Sequence, residues 1–155
     1  MSKLADRLGR PIRNLRLSVT DRCNLRCQYC MPEEEYRWLP KDDLLSFEEI
    51  ARITDQFTQL GVDKVRITGG EPLLRRQLPT LIKALAERPQ LRDIAMTTNA
   101  VLLEDHAQDL KDAGLSRVTV SLDTLAPETF QLLARRDDIE RVHKGLRAAH
   151  EVGFQ

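Results

Sequence analysis

Four short runs in which apolar and polar residues alternate recur along the chain, and a helical pattern follows each of them. The runs lie at about 12–20, 64–68, 93–98 and 117–123. Alternation with a period of two is typical of strands, whereas the segments between them repeat apolar residues every three or four positions. Strands that alternate with helices favour a parallel sheet. The recurrence therefore predicts an α/β fold of four βα units.

The predicted helices carry their own start and stop signals. Ser46, with Glu49 three residues later, forms a capping-box pattern, and Gly61 suits the end of that helix. Later helices are expected after the second, third and fourth strands, where the residues that begin or end helices are Pro79, Pro89, Gly114, Pro127 and Gly153.

The predicted strands have one apolar face and one polar face, whereas strands covered on both faces are apolar throughout. This pattern favours a partial barrel with a polar lumen over the packed apolar interior of a complete eightfold barrel. The polar face carries Arg16, Lys64, Arg66 and Arg117. Cations that converge on one lumen are costly unless an anion or solvent shares it, and a solvated sheet face is the alternative explanation.

Composition and charge argue against two classes of partner. The chain has 24 basic and 24 acidic residues, whereas a nucleic-acid binder usually has a basic excess, so we expect no DNA or RNA partner. No apolar run approaches the roughly 20 residues of a membrane span, and the first residues lack the apolar stretch of a signal peptide. We therefore expect no membrane partner and a cytoplasmic location.

Three cysteines, Cys23, Cys27 and Cys30, lie within eight residues. An odd number so closely spaced does not make a closed disulfide framework. Three thiolates can hold three irons of a cubane cluster and leave the fourth iron open to a non-protein ligand. A structural zinc site usually has four protein ligands, and the histidine nearest to the cysteines in the sequence, His106, is distant from them. Zinc and a redox dithiol are the alternatives to the cluster.

The spacing Cys-x3-Cys-x2-Cys, with Tyr29 before the last cysteine, resembles the motif of the radical S-adenosylmethionine superfamily. The resemblance implies a TIM-like partial (βα)6 barrel with a [4Fe–4S] cluster in the loop after the first strand. In that family, the methionine part of S-adenosylmethionine chelates the open iron, and an electron from the cluster cleaves the cofactor to a 5′-deoxyadenosyl radical. This chain would supply the first four βα units.

The turn after the second strand reads Thr-Gly-Gly-Glu-Pro. Its glycines let backbone groups approach a ligand closely, and its glutamate can accept a hydrogen bond from an ammonium group. Taken alone, it is an ordinary βα turn. In the family this turn holds the amino group of the cofactor, the aromatic residue of the cysteine motif lies near the adenine, and a serine on the fourth strand contacts the carboxylate. The resemblance thus implies cofactor binding by Tyr29, Gly69, Gly70, Glu71 and Ser121.

A narrower resemblance runs through almost all of the chain. Segments 15–23, 65–76, 96–99 and 117–123 are similar to the GTP 3′,8-cyclase family of molybdenum cofactor biosynthesis. That family converts GTP to (8S)-3′,8-cyclo-7,8-dihydroguanosine 5′-triphosphate, the first step of molybdopterin biosynthesis. The reaction abstracts the ribose 3′ hydrogen and joins that carbon to C8 of guanine.

The resemblance implies that Arg16, Arg66 and Thr97 contact GTP. Strand alternation places these three residues on the polar face, together with Lys64. A guanidinium fork suits phosphate, so a triphosphate would account for the cationic wall. We therefore expect Arg16, Lys64, Arg66 and Thr97 to bind GTP.

The chain departs from the family in two respects. Ala100 follows Thr-Thr-Asn where the family usually has glycine, so this turn is expected to be less permissive. The family also continues for about as long again, with two more strands, a second three-cysteine cluster that contacts the guanine, and a Gly-Gly tail. We therefore expect residues 1–155 to be the N-terminal part of the core domain, with the second cluster present only in the full-length protein.

The resemblance also implies partners and leaves rival functions open. The expected partners are GTP, an electron donor for the cluster and the cyclic pyranopterin monophosphate synthase of the next step; a homodimer is left open. One rival is a different radical S-adenosylmethionine enzyme, against which Arg16 and Arg66 argue. The other is a non-catalytic iron–sulfur module, which would usually have four cysteines.

Overall fold

The chain is described by a computed structural model that covers residues 4–33 and 35–154. The predicted domain of residues 1–155 also includes residues 1–3, 34 and 155, which lie outside the described residues. Each strand is followed by a helix, and the last strand by two, in the order β1 Asn14–Ser18, α1 Phe47–Gln59, β2 Lys64–Thr68, α2 Leu78–Ala86, β3 Asp93–Thr98, α3 Leu103–Asp112, β4 Arg117–Val120, α4 Pro127–Ala134 and α5 Ile139–Glu151.

The four strands form one parallel sheet in the order β1-β2-β3-β4. The predicted α/β fold of four βα units is therefore confirmed. Two strands are shorter than predicted, because β1 ends at Ser18 and β4 at Val120. One backbone hydrogen bond follows each strand, from the Val19 N–H to the Thr68 carbonyl and from the Ser121 N–H to the Thr98 carbonyl, and among the described residues the regular pairing of β1 and β4 stops there.

The core lies between the apolar face of the sheet and the helices. Leu17, Ile67, Met96 and Val118 are neighbours across the four strands, and Ile67 and Met96 are completely buried. The helices cover this row with further buried side chains, among them Leu81, Ile82, Leu85, Leu103, Leu110 and Val142. The same register places the polar residues of the strands on the opposite face.

Helix α1 begins with the predicted capping box. The Ser46 hydroxyl accepts a hydrogen bond from the Glu49 N–H at 3.1 Å, and the Glu49 carboxylate accepts one from the Ser46 N–H at 2.8 Å. These reciprocal bonds satisfy two backbone donors at the helix start. Among the described residues, no helix is long and apolar enough to cross a membrane.

Candidate functional site

A cavity of about 230 Å³ lies at the carboxyl ends of the strands. Its walls include the three cysteines, the two glycines after β2, and the residues that follow β3 and β4. Sheets of parallel strands place their ligand sites at this edge, because the loops that leave every strand meet there. The predicted residues Arg16, Tyr29, Thr97 and Ser121 also line this cavity.

The loop that carries the cysteines is anchored to the C-terminal end of α4. The N–H groups of Arg26 and Gln28 donate to the carbonyls of Ala134 and Leu133, each at 3.0 Å. Within the loop, the N–H groups of Cys30 and Met31 both donate to the carbonyl of Cys27. These contacts hold the loop against the cavity through its backbone.

Cys23 and Cys27 are partly buried, whereas Cys30 is exposed. Burial raises the pKa of both the Cys23 thiol and the Cys27 thiol above the ordinary value of a cysteine. In the described part of the chain, no group of three or more His, Cys, Asp or Glu side chains is close enough to ligate a single metal ion. Each cysteine of a cubane site binds a different iron, so its sulfurs need not converge on one point.

The two glycines after β2 make room for backbone rather than for side chains. A methyl group at Gly69 would lie 2.6 Å from the carbonyl oxygen of Thr20, and one at Gly70 would overlap the carbonyl of Arg22. The N–H groups of Gly70 and Glu71 donate to those carbonyls at 2.8 and 2.7 Å. The glycine turn is therefore joined by its backbone to the residues immediately before Cys23.

Glu71 lies beneath the cavity rather than in its wall, since its side chain is only 1% exposed. One carboxylate oxygen accepts hydrogen bonds from the Leu73 N–H and the Thr98 hydroxyl, and the other accepts from the Asn99 N–H at 2.8 Å. Burial raises the pKa of Glu71. Of the five residues predicted to bind the cofactor, Glu71 is therefore the one that the fold does not bring to the cavity.

Tyr29 joins the cysteine loop to the end of β4. Its hydroxyl donates to Oδ2 of Asp123 at 2.6 Å, although the side chain is 68% exposed. This hydrogen bond raises the pKa of Tyr29, because loss of the phenolic proton would leave two negative oxygens in contact. The contact fixes the phenol at the mouth of the cavity.

A second cavity, of about 240 Å³, lies on the polar face of the sheet. Arg16 lines both cavities, so the two adjoin at this residue. Lys64, Arg66 and Arg117 line the second one, and Arg16 and Arg66 are direct neighbours across β1 and β2. The cationic wall that the sequence predicted is thus present.

The cations of this face differ in their partners. Arg117 is paired with Asp93, and this contact lowers the pKa of the Asp93 carboxyl. Arg66 donates from Nη1 to the hydroxyls of Thr97 and Thr119, at 3.1 and 3.0 Å. Among the described residues, Arg16 and Lys64 form no ion pair. Positive charge therefore remains available on three of the four side chains.

Sequence reasoning did not select four residues of these two regions: Asp93, Asn99, Thr119 and Asp123. Two of them follow the carboxyl ends of β3 and β4, where parallel sheets place functional groups, and that position was the available signal. The other two lie on the polar face, where strand alternation could have identified them. Nothing in the sequence indicated which cation each of those two would contact.

The comparison with known families assigns the class of protein. The model of the radical SAM superfamily matches residues 17–155, which is nearly the whole chain. The chain belongs to this superfamily, a class that uses a [4Fe–4S] cluster and S-adenosylmethionine. The chain also resembles the crystal structure of Streptococcus suis SuiB bound to S-adenosylmethionine, with a TM-score of 0.71 and 25% identity over 92% of this chain and 32% of that one.

Among curated proteins, the chain is 54% identical to the GTP 3′,8-cyclase of Acidothermus cellulolyticus, over 97% of this chain and 43% of that protein. It is 53% identical to GTP 3′,8-cyclase 1 of Mycobacterium tuberculosis, over 98% of this chain and 44% of that protein. The chain therefore spans less than half the length of these relatives. The predicted family is confirmed.

The cavity fits the cofactors of the superfamily. Its three cysteines have the right donor chemistry for a cluster with one open iron, and the glycine turn beside them has backbone at the surface of the cavity. Ser121 and Thr97 add hydroxyls to the lining of the cavity.

Proposed function

We propose that this chain holds a [4Fe–4S] cluster through Cys23, Cys27 and Cys30, binds S-adenosylmethionine beside it, and forms the N-terminal part of a GTP 3′,8-cyclase core domain. The observation that supports this most is the sharing of Arg16 by two adjoining cavities, one with the cysteines and the other with the cations. A cofactor and a triphosphate can thus lie next to each other. More than 50% identity to two cyclases points the same way.

In this proposal, backbone groups of Gly69 and Gly70 contact the amino group of S-adenosylmethionine, Ser121 contacts its carboxylate, and the backbone at Tyr29 lies near its adenine. The phenol of Tyr29 is engaged by Asp123, so its backbone is held in place at the cavity. Glu71 acts indirectly, because its oxygens already accept three hydrogen bonds that hold the turn to the end of β3.

The triphosphate of GTP binds to Arg16, Lys64, Arg66 and Thr97. Arg66 is pre-organised, because two threonine hydroxyls hold its guanidinium in place before any ligand binds. When Thr97 accepts this hydrogen bond, its own O–H remains free to donate to a phosphate oxygen. Arg117 contributes less, since Asp93 already neutralises it.

When bound, the cluster and S-adenosylmethionine supply one-electron cleavage of the cofactor and removal of a hydrogen atom from substrate. The chain's own residues bind and orient: the cations fix the triphosphate, and the glycine turn fixes the cofactor. Positioning of this kind decides whether the ribose C3′ hydrogen lies within reach. The cyclised product contains as many hydrogens as GTP, so the hydrogen lost from C3′ must be replaced by one electron, from an external donor, and one proton.

The cluster is tested by anaerobic reconstitution of the chain. We expect about four irons per chain, and replacement of any one cysteine by alanine should abolish the cubane spectrum. Met31→Leu, which alters a loop side chain that is not a ligand, is the control and should retain the cluster. Stoichiometric zinc in the protein, with no cubane after reconstitution, would contradict the proposal.

A spectroscopic titration with S-adenosylmethionine separates a radical enzyme from a non-catalytic cluster module. Direct ligation of the open iron should change the electron paramagnetic resonance spectrum of the reduced cluster. An unchanged spectrum at saturating cofactor would favour the module.

The cyclase activity requires a protein as long as the relatives. A chimera in which this chain replaces the matching segment of the Acidothermus cellulolyticus cyclase should form the cyclised nucleotide from GTP under reducing anaerobic conditions. By itself, the chain should bind the first cluster without cyclising GTP, since the guanine is expected to be fixed by the second cluster. Cyclised product from the chain alone would show that no further segment is needed.

A further inference from the structure

Asn99, the residue immediately after β3, contacts the sulfur of the first cysteine. Its amide nitrogen Nδ2 lies 3.8 Å from Sγ of Cys23 and 2.8 Å from Oδ1 of Asn24. Hydrogen bonds to sulfur are longer than those to oxygen, because the sulfur atom is larger. The side chain is partly buried, so water competes only in part for this donor.

The direction of the Asn99 amide is fixed by its other end. Its carbonyl Oδ1 accepts a hydrogen bond from the N–H of Val101 at 3.1 Å, and only an oxygen can occupy that position. The backbone N–H of Asn99 donates to the buried carboxylate of Glu71. The amide N–H groups are therefore directed to the cysteine loop by contacts on both sides of the residue.

The turn that presents Asn99 is itself constrained. Ala100 adopts a left-handed conformation, with φ at 65°, and its N–H donates to the Thr98 hydroxyl at 3.0 Å. The same hydroxyl donates to Glu71 at 2.7 Å. Glu71, Thr98 and Asn99 thus form one hydrogen-bonded chain from the glycine turn to Cys23.

We infer that Asn99 is a positioning residue that raises the reduction potential of the cluster by donating an N–H to the Cys23 sulfur. Reduction adds an electron whose charge is shared by the cysteine sulfurs, so a donor at a sulfur stabilises the reduced state more than the oxidised state. An easier reduction is useful to an enzyme whose reaction begins with an electron from the cluster. The inference rests on the proposed function, because it requires a cluster at Cys23.

Two variants of the reconstituted chain test the inference by redox titration followed by electron paramagnetic resonance. Asn99→Leu has a similar shape and no donor. Asn99→Asp keeps an oxygen for the Val101 N–H, which preserves the turn, but replaces the donor by an acceptor. At a potential near the midpoint of the parent, we expect the ratio of reduced to oxidised cluster to fall by up to about tenfold in Asn99→Leu, equivalent to about 59 mV for a one-electron couple, and further in Asn99→Asp.

Gln28→Met is the matched control. Gln28 also has an amide in the cysteine loop, but it donates to the carbonyl of Leu132 and not to a sulfur. Its loss should leave the potential unchanged, although it removes one loop contact.

The outcomes distinguish this inference from the function on which it rests. A parent chain that takes up no four-iron cluster would refute the proposed function. With the cluster present, equal potentials in the parent and Asn99→Leu would overturn the inference. This holds even if Asn99→Asp were shifted, because its negative charge alone would explain that shift. If Asn99→Leu fails to retain the cluster, Asn99→Ala, which also lacks the donor and adds no charge, takes its place: a lower potential than the parent supports the inference, and an equal potential overturns it.

Discussion

At the carboxyl ends of the strands, the backbone of the glycine turn lies directly against the backbone of residues 20–22, whereas on the polar face long cationic side chains surround an open cavity. The first region, which we call the rim, leaves no space for a methyl group at Gly69 or Gly70. On the polar face, Arg16 and Arg66 extend from β1 and β2, and within residues 4–33 and 35–154 the hydrogen bonds of Arg66 go to side-chain hydroxyls and not to the backbone.

The rim depends on the shape of the backbone, whereas the polar face depends on the charge of its side chains. The rim is specified by close backbone contacts and by the buried hydrogen bonds of Glu71, so we expect a small change there to displace the loop that carries the cysteines. The polar face is specified by which side chains are positive, so truncation there should weaken anion binding and leave the fold intact.

The largest loss of stability and of iron content is expected for Gly70→Ala. The added methyl group would overlap the backbone of Arg22, so the turn or the cysteine loop must shift, at a cost of about 3 kcal/mol, the upper end of ordinary overpacking. Denaturant unfolding should show the loss of stability, and the iron content after reconstitution should fall.

Gly153→Ala is the control: its added methyl group meets no atom within 4 Å, but its φ of 75° costs about 1 kcal/mol, and the iron content should be normal. Normal iron content in Gly70→Ala would remove the steric basis of the comparison.

Arg16→Ala and Arg66→Ala should each weaken GTP binding by the chimera without changing the absorbance of the cluster. Loss of a charge-assisted hydrogen bond typically costs about 1.5–3 kcal/mol, which is roughly tenfold or more in affinity. Calorimetric titration with GTP measures the change. Arg147→Ala, at an exposed position on α5, serves as the control and should bind GTP normally. If GTP affinity is unchanged in both variants, the polar face does not bind the triphosphate.

A smaller loss of GTP affinity is expected for Thr119→Val in the chimera. The substitution removes one of the two hydroxyls that hold Arg66, and Thr97 retains the other contact. The guanidinium keeps its charge and its contact with Thr97 and loses only part of its positioning, so GTP affinity of the chimera should fall by less than in Arg66→Ala. A loss as large as that in Arg66→Ala would mean that Thr119 contacts the nucleotide itself.

The smallest effect concerns the pH dependence of stability in Asp93→Asn. Arg117 lowers the pKa of Asp93 in the folded chain, so this carboxylate stabilises the fold above the ordinary pKa of an aspartate, and the contribution is lost as the pH falls through its lowered pKa. The variant should be less stable than the parent at pH 7 by under about 1 kcal/mol, because Arg117 is partly exposed. Unfolding curves at a series of pH values should converge in acid. A difference that persists at low pH would indicate a packing effect instead of an ion pair.

Sequence reasoning predicted the parallel α/β fold, the capping box of α1 and the two faces of the sheet, because these depend on local periodicity. Nine of the residues named in advance line the cavity: the three cysteines came from their spacing, Arg16 and Thr97 from strand alternation and the resemblance, and Tyr29, Gly69, Gly70 and Ser121 from the resemblance. Glu71 was expected to face the cofactor, and instead its oxygens are used by Leu73, Thr98 and Asn99. No local pattern indicates that contact, because it depends on how the turn after β2 packs against the end of β3.

The sequence by itself determined the spacing of Cys23, Cys27 and Cys30, the order of the βα units and the positive charge of the polar face. Spacing and alternation are covalent properties of the chain, and they survive any packing. Only the tertiary structure decided that Asp93 neutralises Arg117, that two threonines hold Arg66, and that Asn99 contacts the Cys23 sulfur. Each of these contacts joins residues at least 24 positions apart, and strand register and loop packing bring them within bonding distance.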